Sequence, residues 1–400
     1  MDSRTAFFTA VLAAACVVRA SDWPQWRGPN RDGISAEADW SSKWPEDGPK
    51  QLWRGEVGTG CSSVAVAGGR VFTMGNQSDS DTVWCLDAKT GVPVWKHTYA
   101  CPLDPRNYEG GPGATPAVEE NSVFTLSRTG QLFCLDARTG KPVWSKDLVK
   151  DFGGKAPKWG YSGSPLVAGD LLVIETGASG ASAVALDKKT GATVWKSGAE
   201  PASYSTVMPF NSGGVACAAS FDGTGLTVRE MKTGKELATY PWKTSYEVNA
   251  ATPIVSGDKI FVSSGYGKGC ALLRFDGSSL KPIWENTKMK NNFSSSVLWK
   301  DHIYGFDDST LSCLDLADGS VKWTQGGLGK GSLMLAGDKL VIQGESGDLV
   351  VAQAAPESFQ EIARTKILKS RSWVVPVLAN GRIYCKDNKG ELVCLDVSGK

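Results

Sequence analysis

Leu86-Asp87-Ala88-Lys89-Thr90-Gly91-Val92-Pro93-Val94-Trp95 returns along the chain at a near-regular spacing. Leu135 to Trp144 and Leu186 to Trp195 repeat it closely, and Phe275 to Trp284 and Leu314 to Trp323 repeat it loosely. A copy at Lys232-Thr233-Gly234-Lys235-Glu236-Leu237 lacks the tryptophan, and one around Val351 to Phe359 has lost most of the motif. A last copy runs Leu395-Asp396-Val397-Ser398-Gly399-Lys400. Self-similarity at a fixed period is the mark of a repeat architecture, in which each unit buries its apolar face only against its neighbours.

A second signal precedes most copies. Val66-Ala67-Gly68-Gly69-Arg70-Val71, Val167-Ala168-Gly169-Asp170-Leu171, Val255-Ser256-Gly257-Asp258-Lys259-Ile260, Leu335-Ala336-Gly337-Asp338-Lys339-Leu340 and Leu378-Ala379-Asn380-Gly381-Arg382-Ile383 each set apolar residues around a tight turn. Gly or Asn-Gly supplies the positive φ such hairpin turns need. Weaker versions at Val118 to Phe124, Asn211 to Cys217 and Trp299 to Tyr304 bring the hairpins to eight.

One unit therefore holds an inner strand, the hairpin, a second strand, a third ending in Leu-Asp, the Thr-Gly turn and a fourth ending in Trp. Pro93, Pro142 and Pro282 fall in fourth strands. Proline cannot donate to a ladder, so these strands belong on a sheet edge, as the outermost strand of a propeller blade does. The span from Trp53 onward gives about 43 residues per unit, the length of a four-stranded blade. The expected fold is all-β: an eight-bladed β-propeller of four-stranded antiparallel blades over residues 49–400. The last copy lacks a fourth strand, and Gln51-Leu52-Trp53 has that strand's character with no copy before it. An N-terminal strand at residues 49–55 is thus expected to complete the last blade and close the ring. Trp53, Trp95, Trp144, Trp195, Trp284 and Trp323 become packing residues between blades. Residues 21–48, with Trp23, Trp26 and Trp40, lie outside the repeats and are expected to pack on the propeller, over an outer surface.

Composition narrows the chemistry. The chain has 400 residues with 43 basic and 42 acidic side chains, so it carries no overall field for nucleic acid. Two histidines, His97 and His302, argue against a zinc hydrolase or a Ser-His-Asp triad. Arg4, the apolar run Ala6 to Val18 and the terminal small residue of Val18-Arg19-Ala20 have the layout of an export signal over residues 1–20. Cys16 offers an alternative, lipid anchoring, although the leucine of Leu12-Ala13-Ala14-Ala15 sits one place too early for a good lipobox. The expectation is a periplasmic or secreted protein with no transmembrane segment and a monomeric ring. Cys85, Cys134, Cys313 and Cys394 occupy one repeat slot and read as small buried hydrophobes. Cys61, Cys101, Cys217, Cys270 and Cys385 have no such frame, and their pairing stays open.

Leu-Asp-Ala-x-Thr-Gly-x-x-x-Trp at this period resembles the pyrroloquinoline quinone (PQQ)-type propeller repeat, shared by quinoprotein alcohol dehydrogenases and BamB, the outer-membrane assembly lipoprotein. Asp22-Trp23-Pro24-Gln25-Trp26-Arg27-Gly28-Pro29-Asn30-Arg31-Asp32-Gly33 is similar to exported BamB-like proteins, as are Gly111 to Pro116, Trp159 to Pro165 and Asn249 to Pro253. The resemblance spans nearly the whole chain after residue 20 and is specific for fold rather than function.

In a propeller the loops entering the inner strands converge on one mouth of the channel. Read in order, these loops offer Tyr108, Glu109, Trp159, Tyr161, Ser162, Tyr204, Tyr246, Glu247, Asn249, Asn292, Lys330, Arg371 and Trp373 as candidate ligand-binding residues. Aromatic faces among amide, carboxylate and cationic groups suit a sugar, a quinone or a peptide; the bland reading is that they plug the axis. The leading expectation is a non-catalytic binding or scaffold propeller for a protein or carbohydrate ligand of the cell envelope, without catalytic residues, metal or cofactor. The alternative implied by the resemblance is a PQQ-dependent dehydrogenase with calcium. Against it, the resemblance implies an adjacent Cys-Cys pair, and this chain has none. Gly327-Leu328-Gly329-Lys330-Gly331-Ser332 lacks the order of a phosphate loop and reads as a turn.

Overall fold

The structure, a computed structural model, describes residues 21–45 and 47–399. The export signal and Cys16 lie outside the described residues. Eight four-stranded antiparallel sheets follow one another in chain order. The first runs Ala65–Ala67, Arg70–Gln77, Ser80–Asp87 and Pro93–Ala100 from the axis outward, and the rest repeat that plan. We call them blades 1 to 8, starting at residues 65, 117, 166, 208, 254, 297, 332 and 377. Pro93 and Pro142 open outermost strands and Pro282 lies within one, where a missing N–H costs no ladder bond. Blade 8 has Val377–Ala379, Arg382–Lys386 and Glu391–Asp396, and its fourth strand is Gln51–Glu56 from the other end of the chain.

What fastens one blade to the next is the repeated motif itself. Asp136 Oδ1 accepts from Arg138 N, Thr139 N and Thr139 Oγ1, which folds the turn and brings Gly140 round at φ 71°. A Cβ on Gly140 would lie 2.5 Å from the Trp95 ring of the preceding blade, so the turn seats directly on that indole. Trp95 Nε1 donates to Ala137 O at 2.9 Å within the same turn. Trp53, Trp144, Trp195, Trp284 and Trp323 donate to Ala88, Lys188, Met231, Leu316 and Ala355 in the same manner. Within each of four blades a cysteine separates that tryptophan from an aromatic of the second strand. In blade 1, Cys85 pairs with Phe72 on one side and Trp95 on the other, and the two rings meet across it at 5.9 Å. Cys134, Cys313 and Cys394 sit the same way between an aromatic and a tryptophan. All nine described cysteines are free, so none of the five unframed thiols is bridged.

Blade 7 has lost its tryptophan, Ala363 standing in that register. Its place against blade 8 is taken by the N-terminal segment: Trp40 is buried, and Ser41 N donates at 2.8 Å to Val397 O, the carbonyl an indole would have used. This segment departs from expectation. Instead of covering an outer surface, residues 22–37 thread the axial channel at its hairpin end. Trp23 exchanges backbone bonds with Val66 of blade 1, Val118 N of blade 2 donates to Pro24 O, and Ile34–Ser35 adds a parallel strand to the inner edge of blade 7. Arg27, 4% exposed, donates to Arg31 O, Asp32 O and Ser296 O, the last at the entry to blade 6. Glu37 accepts from Asn380 N and Gly381 N in the hairpin turn of blade 8. Free backbone edges lining a propeller axis need partners, and this segment supplies them. No helix among the described residues is long and apolar enough to cross a membrane.

Candidate functional site

At the end of the channel opposite the hairpin turns, the entry loops leave a cavity of about 390 Å³. Its floor is Trp26, carried there by the threaded segment and fixed by Nε1 donating to Thr252 Oγ1 at 2.9 Å. Around the floor runs a belt of hydroxyls that links blades. Thr115 Oγ1 accepts from Ser63 N, Ser164 Oγ from Thr115 N, Thr206 Oγ1 from Ser164 N and Ser295 Oγ from Thr252 N, all at 2.9–3.1 Å. These residues lie two places ahead of inner strands, and a side-chain oxygen there satisfies the neighbour's N–H before the ladder starts.

The walls are aromatic and held in place. Trp159 Nε1 donates to Arg106 O at 3.0 Å, Trp159 N donates to Tyr204 Oη at 3.3 Å, and Tyr108 Oη donates to Trp159 O at 3.3 Å. Trp373 Nε1 donates to Glu345 Oε1 at 3.0 Å, and its ring lies against Phe293 at 4.3 Å. With their polar atoms committed to protein, these rings offer the cavity their faces.

Of the residues expected at the mouth, Tyr108, Trp159, Ser162, Tyr204, Asn292, Lys330 and Trp373 line the cavity. Arg371 and Glu109 form an ion pair beside it, Arg371 Nη2 to Glu109 Oε1 at 2.8 Å, with Asn388 Nδ2 donating to Glu109 Oε2 and Arg371 stacked on Trp373 at 4.5 Å. Burial pushes the Glu109 carboxyl up, but the bonds from Asn388 and Arg371 outweigh it and hold it below its ordinary value. Tyr246 stands on the outer rim, 61% exposed, edge-on to Trp159 with Lys158 over its face. Glu247 is exposed beside it. Two residues fall elsewhere. Tyr161 is buried among blades 2 and 3 and donates to Thr176 O; Asn249 is fully buried and donates to Asp222 O and Trp242 O. Both hold loops in shape and do not face the cavity.

The reading by loop position omits Trp26, Cys61, Arg106, Asn107, Thr206, Tyr266 and Phe293, which also line it. Trp26 belongs to a segment with no repeat to place it. Tyr266 comes from the second hairpin of blade 5, between Lys259–Ser264 and Gly269–Phe275, which reaches up to the mouth.

Calcium held beside a quinone needs several free oxygen ligands. Among the described residues no three His, Cys, Asp or Glu side chains gather to hold a metal. The carboxylates near the mouth are committed: Glu109 to Arg371, Asp308 to Lys330 at 3.0 Å, and Glu345 to Trp373 Nε1 and Lys330 N. Cys61 lines the cavity alone, with no second thiol to pair with it. These residues do not fit a calcium-bound quinone.

Fold and cavity together define an eight-bladed propeller with a floored axial pocket. The family model described as outer membrane protein assembly factor BamB matches residues 102–325, more than half of the chain, which therefore belongs to that PQQ-repeat family. Among solved structures, BamB from Moraxella catarrhalis is similar at 16% identity and a TM-score of 0.62, covering 88% of this chain and 98% of that one. A europium-containing methanol dehydrogenase is similar at 13% identity and a TM-score of 0.69, covering 94% and 89%. The quinohemoprotein alcohol dehydrogenase of Comamonas testosteroni is similar at 13% identity and a TM-score of 0.68, covering 95% and 81%. At such identities these likenesses speak for the fold alone. No curated protein matches the sequence.

Proposed function

We propose that this protein is a non-catalytic binding propeller of the cell envelope, exported through residues 1–20, that takes its ligand in the channel-mouth cavity. The observation that carries this reading is the cavity itself: about 390 Å³, floored by Trp26, walled by pinned aromatic rings. Its volume lies within the range of small-molecule sites. Neither histidine lines it. Membership of a family whose model is named for outer-membrane assembly supports an envelope setting, with a protein or a carbohydrate as the ligand.

Tryptophan fluorescence of the purified protein, titrated with a panel of envelope glycans and extended peptides, tests the reading. Saturable quenching is expected, and its loss in Ala250→Trp, which fills the cavity, places it there. Saturation that survives in that variant, its fold checked by circular dichroism, would place binding elsewhere and defeat the reading. The committed carboxylates at the mouth speak against the PQQ-dependent dehydrogenase that the resemblance implies; dye reduction with alcohols after loading with PQQ and calcium would overturn the non-catalytic reading.

A further inference from the structure

We propose that the cavity is built for an acidic sugar, a uronic acid unit of a polysaccharide, an inference that rests on the binding reading above and names its ligand class. Three observations meet in it. First, two hydroxyls of the lining keep a free donor. Ser164 Oγ and Thr206 Oγ1 each accept a backbone N–H, and neither hydroxyl donates to a protein acceptor. Second, Arg106 and Lys330 line the cavity, while no Asp or Glu among the described residues does. Their partners Asp104 and Asp308 bind from outside the lining, and each cation has more N–H groups than its single carboxylate contact uses. Third, Trp26, Trp159 and the stacked pair Phe293 and Trp373 present flat apolar surfaces inside the same space.

A ligand must answer all three. An inorganic anion would satisfy the donors and leave the aromatic walls unused. A neutral apolar ring would bury open hydroxyls against carbon and leave their donors unpaired, which is unfavourable. A neutral sugar would stack and accept the hydroxyl protons, but would bring no charge to Arg106 and Lys330. A pyranose bearing a carboxylate offers an apolar C–H face to the indoles, ring and hydroxyl oxygens to Ser164 and Thr206, and an anion to the two cations. Charge-assisted bonds are about twice as strong as neutral ones, so the carboxylate should dominate selection. A planar aromatic acid shares the ring and the anion but has fewer oxygens for the hydroxyl belt.

The experiment is a fluorescence titration of the purified protein with digalacturonate, cellobiose and benzene tricarboxylate as probes. Digalacturonate is expected to bind at least about tenfold more tightly than cellobiose, and the advantage to shrink at 0.5 M salt as the charges are screened. The double variant Arg106→Gln with Lys330→Gln is expected to bind both sugars equally. Equal binding of the two sugars by the unmodified protein overturns the acidic class and leaves the binding reading standing. Tighter binding of the tricarboxylate than of digalacturonate overturns the sugar. No binding of any probe also overturns this inference, while the wider panel and Ala250→Trp judge the reading beneath it.

Discussion

Glu175 is the residue least at ease in this fold. It lies in the second strand of blade 3, its carboxylate oxygens are enclosed without a well-formed partner, and a cavity of about 10 Å³ adjoins it. Burial, reinforced by the Asp222 charge, pushes its pKa from the ordinary 4.5 up to about 8. The folded protein thus holds a proton that the unfolded chain releases, and stability falls as pH rises through that window. Glu175→Gln should abolish this slope: its melting temperature should match that of the unmodified protein near pH 4.5 and exceed it at pH 8.5. A thermal melt at the two pH values checks it. Nothing in the sequence marks this carboxylate, because Glu175 sits in a strand whose neighbours alternate as in every other blade. The same blindness affects Asp81. It stands two residues from Asp79 among polar neighbours, yet it is fully buried, accepting from Asn76 Nδ2 at 2.7 Å. His97, in the outermost strand of blade 1, is half-buried against Phe133 at 5.0 Å. Burial of a polar side chain depends on the next blade, which local pattern does not contain.

Elements, by contrast, are legible in kind and order. The hairpins announce themselves through turn glycines, and the outer strands through proline and tryptophan, because each local choice has one backbone consequence. The Thr-Gly turn does double duty: it closes a hairpin and makes the socket for its neighbour's indole. Gly140→Ala should therefore be costly twice over, through a left-handed backbone and a Cβ 2.5 Å from the Trp95 ring. We expect a loss of about 1–3 kcal/mol or more from the backbone term. Trp95→Phe keeps most of the packing but leaves Ala137 O unpaired, for about 1–3 kcal/mol. The two effects act on one contact, so the double variant should lose less than their sum in thermal or urea unfolding. The missing tryptophan of blade 7 was visible, but its replacement was not. Trp40 and Ser41 reach that site from the far end of the chain, and no spacing rule connects them to Val397.

At the scale of the whole molecule, the count of eight and the closing strand were readable from arithmetic, but the occupant of the axis was not. A repeat predicts what repeats, and the threaded segment occurs once. Its position couples two properties: the backbone edges of the channel and the floor of the cavity depend on the same residues. Arg27→Leu leaves the carbonyls of Arg31, Asp32 and Ser296 without their donor. A destabilisation on the order of 2–3 kcal/mol is expected, together with weakened ligand binding, since Trp26 is the next residue. Parallel thermal melts and fluorescence titrations check the pair; unchanged affinity would separate the floor from the segment's anchoring. Trp26→Ala should show the converse, a large loss of affinity with a smaller loss of stability.

The closing strand also sets a clock. Gln51–Glu56 pairs only with Glu391–Asp396, which is itself an interior strand of blade 8. During synthesis at about 5–20 residues per second, the earlier strand waits roughly 20–70 s for its partner to exist. Through that interval it is an open edge, the kind that recruits stray strands. Arg54 and Glu56 on it keep it charged, and once blade 8 forms, Arg54 pairs with Glu391 across the seam. Ring closure thus cannot precede the synthesis of Glu391–Asp396. Any nick that frees the last strand would release the seam strand as well, returning the finished ring to the state of a chain still being made.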